Sequence, residues 1–132
     1  MILLDTHVLI WSRQNDSPIG PQCHQLIDQA LAQGDLAASA FSFWEVAMLS
    51  DKGRLTVARD LWEWRSGLLE AGLIEIPVDG QFGIRANNLP NFHPDPADRI
   101  IVATALQGHR LVTADELILR WNGSLDLLDA RE

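Results

Sequence analysis

Four acidic residues follow apolar segments of the chain or begin helical ones, a placement that suits chemistry at a single site: Asp5, Glu45, Asp98 and Asp115. Asp5 ends the apolar run at residues 2–4, which is typical of a parallel strand buried on both faces. In a parallel sheet, strand ends and the N-termini of the following helices lie at the same edge, where ligands bind in open α/β folds. We therefore expect the four carboxylates to share one cleft.

Carboxylates gathered at close range repel one another, and each raises the pKa of its neighbours. Oxygen-ligated Mg²⁺ or Mn²⁺ removes that conflict, because both ions take carboxylate and water oxygens as ligands. Such an ion can hold a phosphodiester, generate hydroxide from water and stabilise the leaving oxygen. The acids therefore predict a divalent metal site suited to phosphodiester chemistry.

Each acid also has a structural interpretation. Glu45 would complete a helix-capping box that begins at Ser42, and Asp98 would favour a helix N-terminus through the helix dipole. Asp115 would lie in a turn, whereas Asp5 ends an apolar strand and is not expected to cap a helix. The joint placement at one edge supports the metal-site prediction more than any single acid does.

The elements that must position these acids alternate between strand and helix. Apolar runs predict strands at residues 2–4, 36–39, 73–76, 111–113 and 125–128. Helical spacing and capping residues predict helices at residues 6–14, 21–33, 42–52, 58–71, 80–89, 96–107 and 116–121. The chain has no hairpin signal and no internal repeat, so it predicts an α/β fold with a central parallel β-sheet and helices on both faces.

Composition limits the class of protein. The chain has 132 residues, of which 47% are hydrophobic, so we expect a single ordered domain over residues 1–132. No apolar stretch approaches the length of a membrane span, and the N-terminus lacks the features of a secretory signal. Cys23 is the only cysteine, which excludes an internal disulfide and predicts a cytoplasmic protein.

The net charge of −8 argues against generic nucleic-acid binding, because phosphate contacts need Lys and Arg. A nucleic-acid substrate would need a local basic rim together with a metal, or the surface of a partner. Lys52 and Arg54 form the densest basic spot in the chain. They would contact phosphates or only complement the C-terminus of the preceding helix.

Five segments together resemble a known family. They are LLDTHVLIW at 3–11, SFWEVA at 42–47, KGRL at 52–55, HPDPADRIIVATA at 93–105 and LVTADE at 111–116. In this order and spacing they resemble the PIN-domain proteins, and specifically the VapC-type ribonuclease toxins of bacterial and archaeal toxin–antitoxin pairs. The segments span nearly the whole chain, and none of the acids of the family pattern is missing.

The resemblance implies one PIN domain with a PIN-like three-layer sandwich fold, and RNA cleavage that depends on Mg²⁺ or Mn²⁺. It makes Asp5 and Asp98 the principal metal ligands, joined by Asp115. Glu45 would complete the acidic cluster, directly or through water, and all four acids would be catalytic. Attack by metal-activated water would leave 5′-phosphate and 3′-hydroxyl ends.

Supporting roles also follow from the resemblance. Thr6 and Thr113 would orient the carboxylates through hydroxyl hydrogen bonds. Arg99 would lie at the rim of the cleft, where it contacts substrate or pairs with an acid. Lys52 and Arg54 become candidate RNA contacts.

Three neighbours of the motif acids have alternative roles. His7 and His93 suggest a general base, but an ion that lowers the pKa of bound water needs no side-chain base. Asp95 is either a ligand or the N-cap of the helix that follows it.

The resemblance further implies a VapB-type antitoxin whose tail lies over the cleft, often with a basic side chain among the acids. It also implies a homodimer, for which Phe43, Trp44 and Trp62 offer apolar surface. The alternative function is a non-catalytic PIN-fold binding protein whose acidic cleft receives a basic partner segment.

Other phosphoryl-transfer classes fit less well. Phosphatases with an aspartyl nucleophile need a second Asp where this chain has His7. A phospho-receiver domain needs a Lys late in the chain, and Lys52 is the only lysine.

Overall fold

A computed structural model describes residues 1–53, 57 and 60–132 and has an α/β fold. The strands are β1 (Ile2–Leu4), β2 (Leu36–Ser39), β3 (Ile74–Ile76), β4 (Arg110–Thr113) and β5 (Leu127–Asp129). The helices are α1 (Thr6–Trp11), α2 (Pro21–Ala32), α3 (Ala40–Asp51), α4 (Leu61–Glu70), α5 (Gly80–Asn87), α6 (Pro96–Ala105) and α7 (Glu116–Leu119). Each predicted strand is present, and the predicted fold class is confirmed.

The five strands form one parallel sheet in the order β3-β2-β1-β4-β5. Strand β1 is central, with Ile2 in register with Leu36 of β2 and with Arg110 of β4. This order places the end of β1 between the ends of β2 and β4. The residues that follow these three strands therefore meet at one edge of the sheet.

Helices cover both faces of the sheet. Adjacent strand residues point to opposite sides, and both sides carry apolar side chains that must be buried. Leu4 packs with apolar residues of α1, α2 and α4, whereas Leu3 packs with those of α6 and α7. Both leucines are fully buried, as the uninterrupted apolar run predicted. Within the described residues, no helix has the length and apolar character needed to cross a membrane.

The start of α3 differs from the prediction. The helix begins at Ala40 with Ser39 as its N-cap, and the Ser39 hydroxyl accepts a hydrogen bond from the main-chain N–H of Phe41. Ser42 lies inside the helix and is fully buried, so the predicted capping box was wrong. Strand β2 runs directly into α3, which leaves no loop for a later cap. Glu45 therefore has no capping role at this helix start.

Two other helix starts bear on the site. Asp5 is the N-cap of α1, contrary to the expectation that it would not cap a helix, and its Oδ1 accepts from the Thr6 N–H. Helix α4 begins at Leu61, and its predicted start at residue 58 lies outside the described residues. Its two tryptophans face different environments: Trp62 is 82% exposed, and Trp64 packs against the core.

Candidate active site

A cleft of about 320 Å³ lies at the carboxyl edge of the sheet. Its lining residues are Asp5, His7, Trp11, Glu45, Asp95, Asp98, Ala114 and Asp115. Four different elements contribute the four predicted acids, since two follow strands β1 and β4 and two lie in helices α3 and α6. The structure therefore brings together the four acids that the sequence analysis singled out.

Asp5 is the most buried of these acids, with 6% of its surface exposed. Its Oδ1 accepts from the Thr6 N–H at 2.8 Å, and its Oδ2 accepts from the Thr113 hydroxyl at 2.7 Å. Burial raises the pKa of Asp5, and these two hydrogen bonds oppose that effect. The same Thr113 hydroxyl accepts from the main-chain N–H of Asp115 at 3.0 Å, so it links the two acids.

Glu45 lies beside Asp5 on the α3 wall of the cleft. Burial raises the pKa of Glu45, and the nearby Asp5 carboxylate raises it further. The Thr6 hydroxyl donates to the Ser42 hydroxyl at 2.9 Å and lies close enough to Glu45 to oppose these effects. Thr6 therefore contacts Asp5 through its main chain, and its side chain ties α1 to α3.

Asp98 experiences the combined charge of the cleft. It lies in the first turn of α6, behind the N-cap Asp95, whose side chain accepts from the Asp98 N–H. Burial raises the pKa of Asp98 to about 8, with further contributions from the charges of Asp5, Asp95, Asp115 and Glu45. The cleft therefore favours a proton or a cation at Asp98 near neutral pH. Asp95 occupies the capping position that the sequence indicated.

His93 adds a nitrogen to this cluster. Its Nε2 lies 3.1 Å from Oδ2 of Asp98. The contact lacks the alignment of a hydrogen bond, and this buried nitrogen has no hydrogen-bond partner among the described residues. Three ligand atoms lie within 4.8 Å of one another, one each from His93, Asp98 and Asp115. The sequence analysis considered His93 only as a base, although its place just before the α6 cap was a signal for this position.

The donor set fits a divalent cation. Carboxylate oxygens are the ligands that Mg²⁺ and Mn²⁺ prefer, and an imidazole nitrogen is compatible with Mn²⁺. A buried nitrogen without a partner is uncommon, and a bound ion would satisfy it. Asp98, Asp115 and His93 would hold such an ion, with Asp5 adjacent to them in the same cleft.

Arg99 does not take the position expected for it. Its guanidinium donates to main-chain carbonyls, namely those of His93 at 2.9 Å, Phe92 at 2.6 Å and Ala86 at 3.0 Å. The expected pairing with an acid was therefore wrong. Arg99 instead fastens the loop before α6 to the last turn of α5, which satisfies helix-terminal carbonyls.

The remaining predicted residues lie apart from the acid cluster or outside the described residues. Lys52 is exposed and is the C-cap of α3, a position compatible with both of its interpretations. Arg54 lies outside the described residues. His7 is exposed and lines the cleft.

Comparisons with known proteins agree with this geometry. The family model of the PIN domain matches residues 2–122. The chain belongs to the PIN-domain family. It is 34% identical over 116 residues to ribonuclease VapC22 of Mycobacterium tuberculosis. The aligned region covers 86% of each protein. The resemblance to PIN-domain proteins of the VapC type is therefore confirmed.

A solved structure shares the PIN-domain fold. A toxin–antitoxin complex from Klebsiella pneumoniae contains a chain that superposes with a TM-score of 0.61. The match covers 98% of both chains at 20% sequence identity. At this identity the likeness concerns the fold alone.

The raised pKa of Asp98 predicts a pH-dependent stability of the metal-free protein. In EDTA, the native state keeps the Asp98 proton up to about pH 8, whereas the unfolded chain loses it near its ordinary pKa of 3.8. The free energy of unfolding should therefore fall as pH rises between these values. Between pH 5 and 8, the free energy of unfolding of Asp98→Asn should fall by less than that of the wild type, with a difference of more than about 1 kcal/mol. Urea denaturation at each pH would measure it.

The matched control for this experiment is Asp16→Asn, which removes the same charge from an exposed loop outside the cleft. Its profile should follow that of the wild type. Parallel profiles for wild type and Asp98→Asn would contradict the prediction.

The contacts of Arg99 predict a structural role for its guanidinium. Arg99→Met should lower the free energy of unfolding by about 1.5–3 kcal/mol, because hydrogen bonds from a charged donor are lost. Arg85→Met removes an equal charge from an exposed position of α5 and should cost about 0.5 kcal/mol or less. Thermal and urea unfolding would measure both changes, and equal losses would refute the assignment.

Proposed function

We propose that this PIN-domain protein is a ribonuclease toxin of a toxin–antitoxin pair that hydrolyses RNA phosphodiester bonds with Mg²⁺ or Mn²⁺. The observation that carries the proposal is the convergence of Asp5, Glu45, Asp98 and Asp115 in one cleft. The similarity to ribonuclease VapC22 supports RNA as the substrate class.

The ion, when bound, would supply an activated water and neutralise charge on the phosphate. The residues of the chain prepare the cleft for it. Thr113 and the Thr6 N–H hold both oxygens of Asp5, which fixes the orientation of that carboxylate before an ion arrives. Glu45, whose pKa is raised by burial, is suited to accept a proton from the attacking water at its carboxylate.

The charge of the cleft determines how RNA would enter. Four carboxylates repel a phosphodiester, so an ion must offset them before the substrate approaches. RNA contacts by Lys52 and Arg54 remain part of the proposal. Lys52 lies at the C-terminus of α3, and Arg54 lies outside the described residues. We expect the metal-free protein to bind RNA weakly for the same reason.

The proposal includes a VapB-type antitoxin as partner and action in the cytoplasm. The negative cleft and the net charge of −8 favour a partner segment that carries a basic side chain. We also propose a homodimer that uses apolar surface near Phe43, Trp44 and Trp62. Trp44 is 55% exposed and Trp62 is 82% exposed, and both line a mainly apolar groove between α3 and α4.

A second candidate function is binding without turnover. Burial raises the pKa of Asp98 most, and the charges of four neighbouring acids raise it further. A cleft with this many carboxylates would also attract a basic peptide in a protein that cleaves nothing. The two candidates differ in one measurable property, since only the enzyme cleaves RNA when supplied with a divalent ion.

RNA cleavage tests the proposal directly. Purified protein should cleave RNA in about 5 mM Mg²⁺ or Mn²⁺. Cleavage should stop in excess EDTA. Asp98→Asn should lower the rate by about 100-fold or more, because losing a ligand should cost more than losing a group that only orients a ligand. Asp16→Asn serves as the control with unchanged activity, and cleavage that persists in EDTA would refute metal dependence.

Ion binding should also stabilise the folded protein. Mg²⁺ at about 100 times its dissociation constant should add about 2.7 kcal/mol to the free energy of unfolding of the wild type. Thr113→Val should weaken Mg²⁺ binding by about 10–100-fold, because Asp5 loses the donor that orients it. Asp5→Asn should remove most of the Mg²⁺-dependent rise in melting temperature. Equal rises in all three proteins would exclude Asp5 from the ion site.

A further inference from the structure

We propose that His93 binds the divalent ion directly through Nε2 and makes the site favour Mn²⁺ over Mg²⁺. This inference rests on the proposed function in one respect only, namely that an ion occupies the acidic cleft. It assigns His93 a role as a ligand, different from that of the general base suggested by the sequence.

The first argument is the distance between ligand atoms. Two ligands in adjacent positions of an octahedral ion, each about 2.1 Å from it, lie about 3 Å apart. Nε2 of His93 lies 3.1 Å from Oδ2 of Asp98, and the three ligand atoms that include one from Asp115 lie within 4.8 Å of one another. These atoms can therefore share one ion with little movement of the main chain.

The second argument is the direction in which the ring nitrogen is aimed. Nε2 is buried and has no hydrogen-bond partner among the described residues, although a carboxylate oxygen is only 3.1 Å away. A proton on Nε2 would not point at Oδ2 of Asp98, because the contact is not aligned for a hydrogen bond. Two ligands of one ion have this relation, since each is directed at the ion between them and not at the other. Leaving such a nitrogen without any partner is unfavourable, and a bound ion would satisfy it.

The third argument is that the ring is held in place before an ion binds. The imidazole stacks on Phe92 with ring centroids 4.4 Å apart, and Phe92 meets Trp121 edge-on at 5.5 Å. Arg99 donates to the carbonyls of both His93 and Phe92. A side chain fixed by its neighbours loses little entropy when it binds a ligand.

The imidazole has a consequence for the choice of ion. Mg²⁺ binds oxygen ligands and gives up water reluctantly, whereas Mn²⁺ accepts a nitrogen ligand more readily. Loss of the imidazole should therefore weaken Mn²⁺ binding more than Mg²⁺ binding. A residue that only positioned Asp98 would affect both ions alike.

The experiment uses Mn²⁺ alone, without RNA. Electron spin-echo spectroscopy of the Mn²⁺-loaded wild type should show nitrogen modulation from a coordinated imidazole, and His93→Asn should abolish it. His7→Asn should retain the modulation, which makes it a matched control because His7 lines the cleft beside the acids. By calorimetry, His93→Asn should lower the affinity for Mn²⁺ by about tenfold or more and the affinity for Mg²⁺ by about threefold or less.

Labelling of the His7→Asn variant removes the dependence on the folding of His93→Asn, because His7 is then absent from the cleft. His7→Asn protein grown with ¹⁵N-histidine should replace the ¹⁴N modulation by that of ¹⁵N. Mn²⁺ that binds without imidazole modulation, or with modulation that survives His93→Asn, would overturn the role of His93 and leave the proposed ribonuclease intact. Wild-type protein that binds neither ion would overturn the ion site itself, and with it both proposals.

Discussion

Burial of several carboxylates in one cleft is the constraint on which the site depends. Asp5, Glu45 and Asp98 each have a raised pKa, chiefly because burial removes water from the charged form. The fold nevertheless assembles them where β1, β2 and β4 end, at a cost in stability that a divalent cation would offset. A site that is unfavourable without its ligand and favourable with it couples ion binding to folding.

Hydrogen bonds hold this unfavourable arrangement in one geometry. The Thr113 hydroxyl donates to Asp5 and accepts from the Asp115 N–H, so one side chain joins the ends of two adjacent strands. Arg99 acts at longer range, because its guanidinium fastens the loop that carries His93. The polar groups around the acids therefore determine their orientation, whereas the helices and strands determine only their neighbourhood.

Two expectations of the sequence analysis failed for different physical reasons. The hydroxyls of Ser39 and Ser42 are both plausible caps of α3, and Ser39 takes the position because β2 runs directly into the helix. Arg99 was expected at the rim of the cleft, contacting substrate or pairing with an acid, yet its guanidinium donates to main-chain carbonyls, among them that of Ala86 in α5. The partner of Ser39 is local in the chain, whereas Ala86 is a neighbour of Arg99 in space that adjacency in sequence does not reveal.

The sequence by itself determined the alternation of strands and helices, the four acids and their common edge. Apolar runs and helix caps are local signals, and the parallel topology that follows from them leaves few places for the ends of strands. Only the tertiary structure decided which oxygen of Asp5 each donor meets, that burial dominates the pKa of Asp98, and that Nε2 of His93 reaches the cluster. Those features depend on interatomic distances set to within a few tenths of an ångström, and packing sets such distances. Some of them join residues far apart in the chain, such as Asp5 and Thr113.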